Sequence, residues 1–406
     1  MLSHFSSQFF TSNRRKIKRH FQDGTPIIVA ANGLLQRGGD STYAFSQDAN
    51  FWYLTGIDEP DLILVMDAKN DYLIVPSRSG VRETFDGSVS FDALTKRSGI
   101  KTIYDGVGGW EKIEAKLSTV KQAATVLPPP AYVEQYGFYT NPARIELASR
   151  LENSSVKVLD AGQDLARLRM IKELPELKAI QKAIDITSES LIQAVKTLKD
   201  YEYEYQLEAQ IRAGFRSRGA SGDSFEPIVA SGKNACTLHS VANNSKLVKS
   251  GLVLCDVGAE VEHYAADITR VYMLGKTTKR QKDVYAAVIE VQQFAFSLLK
   301  PGVLMRDYEQ SVEDFMGQKL KDLKLIKTIN HDNVRKFYPH STSHFMGLNV
   351  HDAGDYRQPL KEGIVMTVEP GIYISDESIG VRIEDDILLT EDGAKILSEK
   401  LPKSLD

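Results

Sequence analysis

Cysteine is nearly absent from this chain of 406 residues, with Cys236 and Cys255 the only two. Two thiols cannot build a disulfide framework, so they read as ordinary free thiols in a reducing compartment. Net charge is also scarce: 50 basic residues stand against 54 acidic ones, a formal charge of −4. That balance argues against nucleic acid or an anionic membrane as a partner. No apolar run approaches the ~20 residues that span a bilayer, and no low-complexity tract interrupts the chain. What is left is a soluble globular composition, 42% apolar and 26% charged. The length exceeds one ordinary core, so two domains are expected.

The opening segment, "MLSHFSSQFFTSNRRKIKRHF", is rich in serine and basic residues and has no acid before Asp23. Such a composition mimics a mitochondrial transit peptide, but it lacks the apolar core and small-residue cleavage site of a secretory signal. It is read here as a basic surface helix leading into a strand. The cytoplasm is then the expected location, with the mitochondrion as the alternative. Residues 25 to about 160 alternate strand-like runs ("TPIIVAA", "LILVMDA", "DYLIVPS") with helical ones ("WEKIEAKLSTV", "NPARIELASRLEN"). They predict a smaller α/β domain over 1–164. The stretch "DAGQDLARLRMIKELPEL" crosses into a second domain, 165–406.

From Pro175 onward the order of elements repeats once. Leu177, Ile180, Ile184, Leu191, Val195 and Leu198 keep helical spacing, and Leu207, Ile211 and Phe215 begin a second helix. The β-like runs "FEPIVASG" and "LVLCDVGAEVEHYAADITRVYML" follow. A third helix carries Val284, Val288, Val291, Ala295 and Leu298 and stops at "KPG", and a fourth spans roughly 304–323. The runs "GIVMTVEPGIYI" and "IGVRIEDDILLT" complete the order. Helix, helix, strands, twice over, predicts a pseudo-twofold α+β domain with helices covering a curved sheet. A ligand site is expected between its halves.

Four acids interrupt runs that should otherwise be buried strand. Asp256 breaks "GLVLCDVGA", Asp267 sits in "YAADITRVYM", and Glu369 in "IVMTVEPGIYI". Arg382, Glu384 and Asp386 alternate in "GVRIEDDILL" and so share one face of a strand. Buried carboxylates are costly unless they are paired or bind a cation. Asp256 and Asp267 are eleven residues apart around the turn-like "GAEVEHY", so two antiparallel strands could bring them to one end of the sheet. Histidine supplies the complement. Three of the eight, His340, His344 and His351, fall in "HSTSHFMGLNVHDAG". No Glu follows His340, so this is not the zinc-protease HExxH motif, and "FMGLNVHDAG" reads as β with a glycine. At most one or two of the three can be ligands, and the others suit hydrogen bonding or proton transfer. His239, after "SGKNACTL", is a fourth candidate; the remaining histidines carry no assignment. Carboxylates with one His form a hard ligand set that favours Mn, Mg, Co or Fe over a structural zinc site. Four carboxylates also exceed the need of one ion, and shared between two ions about 3.5–4 Å apart they make a hydrolytic centre.

The ordered motifs "SFEPIVASGKNACTLHS", "LCDVGAEVEHYAADITRVY", "HSTSHFMGLNVHDAG", "TVEPGIYI" and "GVRIEDDILLT" resemble those of the pita-bread metallopeptidases, above all the aminopeptidase P (Xaa-Pro aminopeptidase) enzymes. "FSQDANFWYLTGIDEPDLILVM" is similar to the start of their N-terminal domain. The resemblance implies that Asp256, Asp267, His344, Glu369 and Glu384 are the five ligands of a dinuclear centre, usually manganese, bridged by Asp267 and Glu384. It implies that Glu369 also acts as general base toward the metal-bound water. His239, His340 and His351 match histidines that contact substrate or shuttle protons, and Arg382 matches an arginine that supports the site. Peptides with a penultimate proline are the implied partners, and a homo-oligomer, dimer or tetramer, is the implied assembly.

Ser240 after His239, Ser341 after His340, and Phe85 in "RETFDGS" depart from the residues usual in that family. They bear on subsites and subunit arrangement, since none is a ligand. Prolidase, with the same fold and metal set, is the nearest rival. A creatinase-like enzyme or a non-catalytic binding module of this fold is disfavoured by five intact ligand positions.

Overall fold

The computed structural model describes residues 3–21, 24–128 and 137–405. The chain divides into two compact units, Met1–Leu168 and Arg169–Asp406. In the first, β1 (Ile27–Ala30), β2 (Ile63–Met66) and β3 (Asp71–Val75) are almost continuously apolar and buried, as strands covered on both faces must be. With β4 (Thr102–Asp105), β5 (Gln122–Thr125) and β6 (Lys157–Asp160) they form one sheet in the order β4-β3-β2-β1-β5-β6. Helices α2 (Gly106–Leu117) and α3 (Pro142–Glu152) lay Ile113, Leu117, Leu147 and Leu151 against Ile28, Val65 and Ile74.

The N-terminal helix α1 (Ser7–Lys18) departs from the surface helix expected of it. Phe9, Phe10 and Ile17 are buried, and the Phe10 ring meets Trp52 edge-on at 5.5 Å. One of its basic residues is core as well: Arg14 is 1% exposed. Its guanidinium donates to Asp71 Oδ2 at 2.8 Å and to the carbonyls of Leu54 and Ser98 at 2.6 and 2.9 Å. Counting charges along the helix places Arg14 in solvent, because its acidic partner lies 57 residues away.

In the second unit, α4 (Leu174–Val195) opens with a reciprocal Glu173–Glu176 cap, and α5 (Glu204–Ser217) packs beside it. Three strands follow, β7 (Ile228–Ser231), β8 (Gly251–Val257) and β9 (Ile268–Leu274), in one antiparallel sheet. Helices α6 (Lys279–Leu298) and α7 (Met305–Asp322) open the second half. Then come β10 (Val365–Val368), β11 (Gly371–Ile374), β12 (Ile379–Arg382), β13 (Asp385–Thr390) and β14 (Gly393–Ile396). Strands β10, β13 and β14 form one sheet, and β11 and β12 a hairpin. Val284, Val288 and Val291 of α6 and Val312, Met316 and Leu320 of α7 share a core with Val368, Ile372, Val381 and Ile387 of these strands. The helix–helix–strand order therefore occurs twice.

Two local expectations are corrected. "FMGLNVHDAG" is a loop with a single bridge, Phe345 to Met366. Asp352 N–H folds back onto the Phe345 carbonyl at 2.7 Å and Gly347 N–H onto that of Asn349 at 3.1 Å, so local turns take the bonds a ladder would need. "GVRIEDDILL" is two strands, broken at Ile383 and Glu384 where the chain leaves the hairpin for the other sheet.

Arg14→Met is expected to destabilise the protein by about 3 kcal/mol, since it breaks a buried ion pair and strands two carbonyls. Arg15→Met, at an exposed position on the same helix, should change stability by less than about 0.5 kcal/mol. Denaturant midpoints of the two variants check this; equal midpoints would contradict it.

Candidate metal centre

Strand register gathers the first half's carboxylates. Asp256 pairs with Thr269 across β8 and β9, and Asp267 stands two residues before Thr269, hence on the same face. The turn between them is tight: a Cβ on Gly258 would lie 1.8 Å from the Ala266 carbonyl oxygen, so only glycine fits. The second half brings Glu369, just past β10, and Glu384, in the break between β12 and β13. Backbone bonds fix both, from Glu369 N–H to the Thr342 carbonyl at 2.8 Å and from Glu384 N–H to that of Thr269 at 3.1 Å. The latter bond ties a residue of one half to a strand of the other.

Among the described residues, ligand atoms of Asp267, His344 and Glu384 lie within 4.8 Å of one another. His344 Nε2 is 3.4 Å from Asp267 Oδ2 and 3.3 Å from Glu369 Oε1. Asp256 joins through Arg382, whose Nη2 donates to Asp256 Oδ2 at 2.5 Å. Arg382 Nε donates to Thr269 Oγ1 at 3.1 Å, and that hydroxyl donates to Glu384 Oε2 at 2.7 Å. Arg382, Glu384 and Asp386 do all face this space, although they sit on two strands and the break between them. Asp386 Oδ2 accepts the backbone N–H of Asp267 at 3.1 Å.

Charge is crowded here. Burial, then the neighbouring Asp256 carboxylate, push Asp267 up to about 7 against the opposing bond from His344. Burial and the charges of Asp267, Glu369 and Asp256 raise Glu384 well above the carboxylate range. Glu369 goes the other way. Burial would raise it, but the His344 bond and the charges of His344 and Arg382 hold it down at about 2. Burial would likewise lower His344, yet its bonds to Asp267 and Glu369 hold it well above its ordinary value.

These residues fit a divalent cation. Asp256 Oδ1 and Glu384 Oε1 are buried with no hydrogen-bond partner among the described residues, a costly state that a cation would relieve. The donors are oxygens and one imidazole, with no thiolate, as hard divalent ions prefer. His344 Nδ1 lies 3.1 Å from the Phe345 carbonyl, the second contact that orients a metal-ligating histidine through its other nitrogen.

The remaining histidines separate. His340 Nε2 is 2.8 Å from the Tyr373 hydroxyl, which accepts from Arg382 Nη1 at 2.9 Å. The tyrosine proton is thus directed at His340, whose pKa burial lowers, so the ring is neutral. The His351 ring lies 4.2 Å from that of His344, and burial together with the His344 charge lowers it to about 4. His239 is exposed, within electrostatic range of His351. Sequence reasoning missed Thr269 and Tyr373. Each lies two residues along a strand from a singled-out position or motif glycine, so period-two spacing from Asp267 and Gly371 was the available signal.

Residues 178–391 match metallopeptidase family M24, and residues 10–126 match the aminopeptidase P N-terminal domain. A Xaa-Pro aminopeptidase of Haemophilus influenzae is 33% identical, over 98% of this chain and 95% of its own length. Xaa-Pro aminopeptidase 3 of Homo sapiens is 34% identical, over 95% of this chain and 80% of its own. A variant of Escherichia coli aminopeptidase P solved in complex with substrate aligns with a TM-score of 0.87 at 29% identity, covering 99% of this chain and 97% of that one.

The electrostatics predict how the metal-free protein responds to pH. Asp267, Glu384 and His344 all have folded pKa values above their unfolded ones. Their stabilisation is therefore full below the unfolded values and is lost as pH rises through the folded ones. For Asp267 that window runs from about pH 4 to about pH 7. A divalent cation replaces those protons, so the rise in melting temperature on adding manganese should be larger at pH 8 than at pH 5.5. An increment that is flat or falls with pH would contradict this.

Proposed function

The chain belongs to metallopeptidase family M24 and carries the aminopeptidase P N-terminal domain ahead of it, and on that premise we propose that it is a Xaa-Pro aminopeptidase with a dinuclear manganese centre. It is a metal-dependent peptide hydrolase of pita-bread fold behind an α/β domain. Its substrates are peptides with proline second, and the bond cut joins the first residue to that proline. The observation that carries the reading is the convergence of Asp267, His344 and Glu384 beside Glu369 and Asp256, with buried oxygens of Asp256 and Glu384 unpartnered among the described residues. Prolidase is not supported, since the relatives above are Xaa-Pro aminopeptidases matched over nearly the whole chain.

Asp256, Asp267, His344, Glu369 and Glu384 would hold the two ions. Bound there, the cations supply a water acidified to near neutrality and a Lewis-acid contact for the scissile carbonyl. The protein's own groups manage the protons. Glu369, kept anionic by His344 and Arg382, takes the proton of the attacking water and returns it to the departing proline nitrogen. Neutral His340, its Nε2 taken by the Tyr373 hydroxyl and its Nδ1 by the Ser341 carbonyl, stands beside Glu369 and contacts the peptide. His351, packed against the His344 ring, and exposed His239 hold the peptide past the scissile bond. Arg382 binds Asp256 and holds that carboxylate aimed inward.

The cytoplasm is the proposed location: both cysteines are free thiols, and no helix among the described residues is long and apolar enough to cross a membrane. The proposed assembly is a dimer or tetramer. Val81 and Phe85, 69% and 83% exposed, stand on helix Gly80–Asp86, which buries none of its residues. A light-scattering mass of two or four chains is expected; a single-chain mass would refute it.

Arg-Pro-Pro should be cleaved after arginine with release of Pro-Pro, whereas hydrolysis confined to Xaa-Pro dipeptides would identify a prolidase. Glu369→Gln should lower kcat on the order of a thousandfold while the protein still folds. Substantial turnover in that variant, or in protein exhaustively treated with EDTA, would exclude the mechanism.

A further inference from the structure

Asp385 stands between Glu384 and Asp386, and strand alternation turns its side chain away from the carboxylate cluster. It is completely buried and fully engaged. Oδ1 accepts from Arg270 Nη2 and Ser398 Oγ, both at 2.6 Å. Oδ2 accepts from Lys403 Nζ at 2.6 Å and from Gln292 Nε2 at 3.1 Å.

The donors also grip backbone at the ligand positions. Gln292, 1% exposed on α6, donates to the carbonyls of Val368 at 3.0 Å and Ile383 at 3.1 Å. Those residues immediately precede Glu369 and Glu384. Arg270 Nη1 donates to the carbonyls of Thr269 at 3.0 Å and of Glu384 itself at 2.5 Å. Arg270 Nε also donates to the Pro402 carbonyl and Nη2 to that of Leu401, each at 3.1 Å. Behind the carboxylates, then, one buried polar knot ties β9, β10 and β13 to residues 398–403.

Lys403 closes the knot. Its Nζ donates both to Gln292 Oε1 at 3.1 Å and to Asp385 Oδ2 at 2.6 Å, so one ammonium ties the amide to the carboxylate. Without it the amide oxygen has lost its donor and Asp385 one of its two cations, and Gln292 is held only through its nitrogen, by Val368, Ile383 and Asp385. The backbone ahead of Glu369 and Glu384 would then be held less firmly.

We infer that residues 398–403, acting through Lys403, Gln292, Arg270 and Asp385, position Glu369 and Glu384 for metal, and that Lys403 is a positioning residue of the centre. The inference rests on the ligand assignment proposed above. Groups that orient metal ligands are commonly worth ten- to a hundredfold in affinity. Lys403 suits a test because its side chain is 29% exposed, so shortening its reach opens no cavity in the core.

The experiment titrates manganese into metal-depleted protein, following the free ion by its electron paramagnetic resonance signal, with Arg-Pro-Pro kinetics and thermal unfolding of the metal-free forms in parallel. Lys403→Met should weaken manganese binding on the order of tenfold and lower kcat at fixed metal with little change in KM. Lys403→Arg should keep most of the affinity. Lys400→Met, in the same segment with a side chain 75% exposed, should behave as wild type, and all metal-free melting temperatures should agree within a few degrees. Manganese binding by Lys403→Met as tight as wild type, or weakened no more than in Lys400→Met, overturns the inference. Wild-type protein that binds no manganese sinks the ligand assignment itself, and this inference with it.

Discussion

Four carboxylates and one imidazole share a space too small for their charges, and the rest of the second unit is arranged around that conflict. Two like charges a few ångströms apart cost several kcal/mol at the effective dielectric of a protein. Burial removes the water that would ease the cost. The protein meets part of it with Arg382 on Asp256 and His344 between Asp267 and Glu369. Oxygens of Asp256 and Glu384 remain without a partner among the described residues. A site that is frustrated without a cation and satisfied with one has its selectivity for charge built into the fold.

The frustration demands rigidity, because repelling carboxylates spread apart if the backbone lets them. Alternation along "IEDD" divides the labour: Glu384 and Asp386 face the site, and Asp385 faces the knot behind it. Arg270 and Lys403 place two positive charges on the far side of the strand, and their pull holds Asp385 down at about 2 against its burial. Among the carbonyls that Arg270 and Gln292 hold are those of Glu384 itself and of Val368 and Ile383, next to Glu369 and Glu384, so the same groups hold the backbone and offset its negative charge. On the front face, Arg382, Tyr373 and His340 form a second hydrogen-bonded chain beside the carboxylates.

The site's first layer was legible in the sequence because acids inside apolar strand patterns have few uses, and Asp256, Asp267, Glu369 and Glu384 each break such a pattern. Fold and family were legible for a related reason: helix and strand periods repeated in the same order, and five motifs kept their sequence. The supporting layer was not. Thr269, Tyr373, Gln292 and Lys403 are ordinary residues at ordinary positions, and their roles come from partners up to 115 residues away. Arg14 was misjudged for the same reason. A helical charge pattern says which side chains can reach water, but not which of them meet a buried acid instead.

The histidine loop shows where clustering in sequence misleads most. Three histidines within twelve residues suggest a shared task, yet His344 alone of the three lies between two of the carboxylates, 3.4 Å from Asp267 and 3.3 Å from Glu369, while His340 turns to Tyr373 and His351 packs on the His344 ring. No strand ladder holds the loop beyond the single Phe345 bridge. A buried ion cluster holds it instead: Asp352 binds Arg169, and Lys172 at 3.0 Å, with all three side chains at most 2% exposed. Such a cluster is a poor source of stability, since desolvation consumes most of its attraction. Its worth is directional, because a buried charge tolerates only one set of partners. By fixing Asp352, the cluster fixes the backbone of His351 beside it, and Asp352 N–H on the Phe345 carbonyl fixes the residue after His344. Two imidazoles of different duty are therefore set by one carboxylate that touches neither.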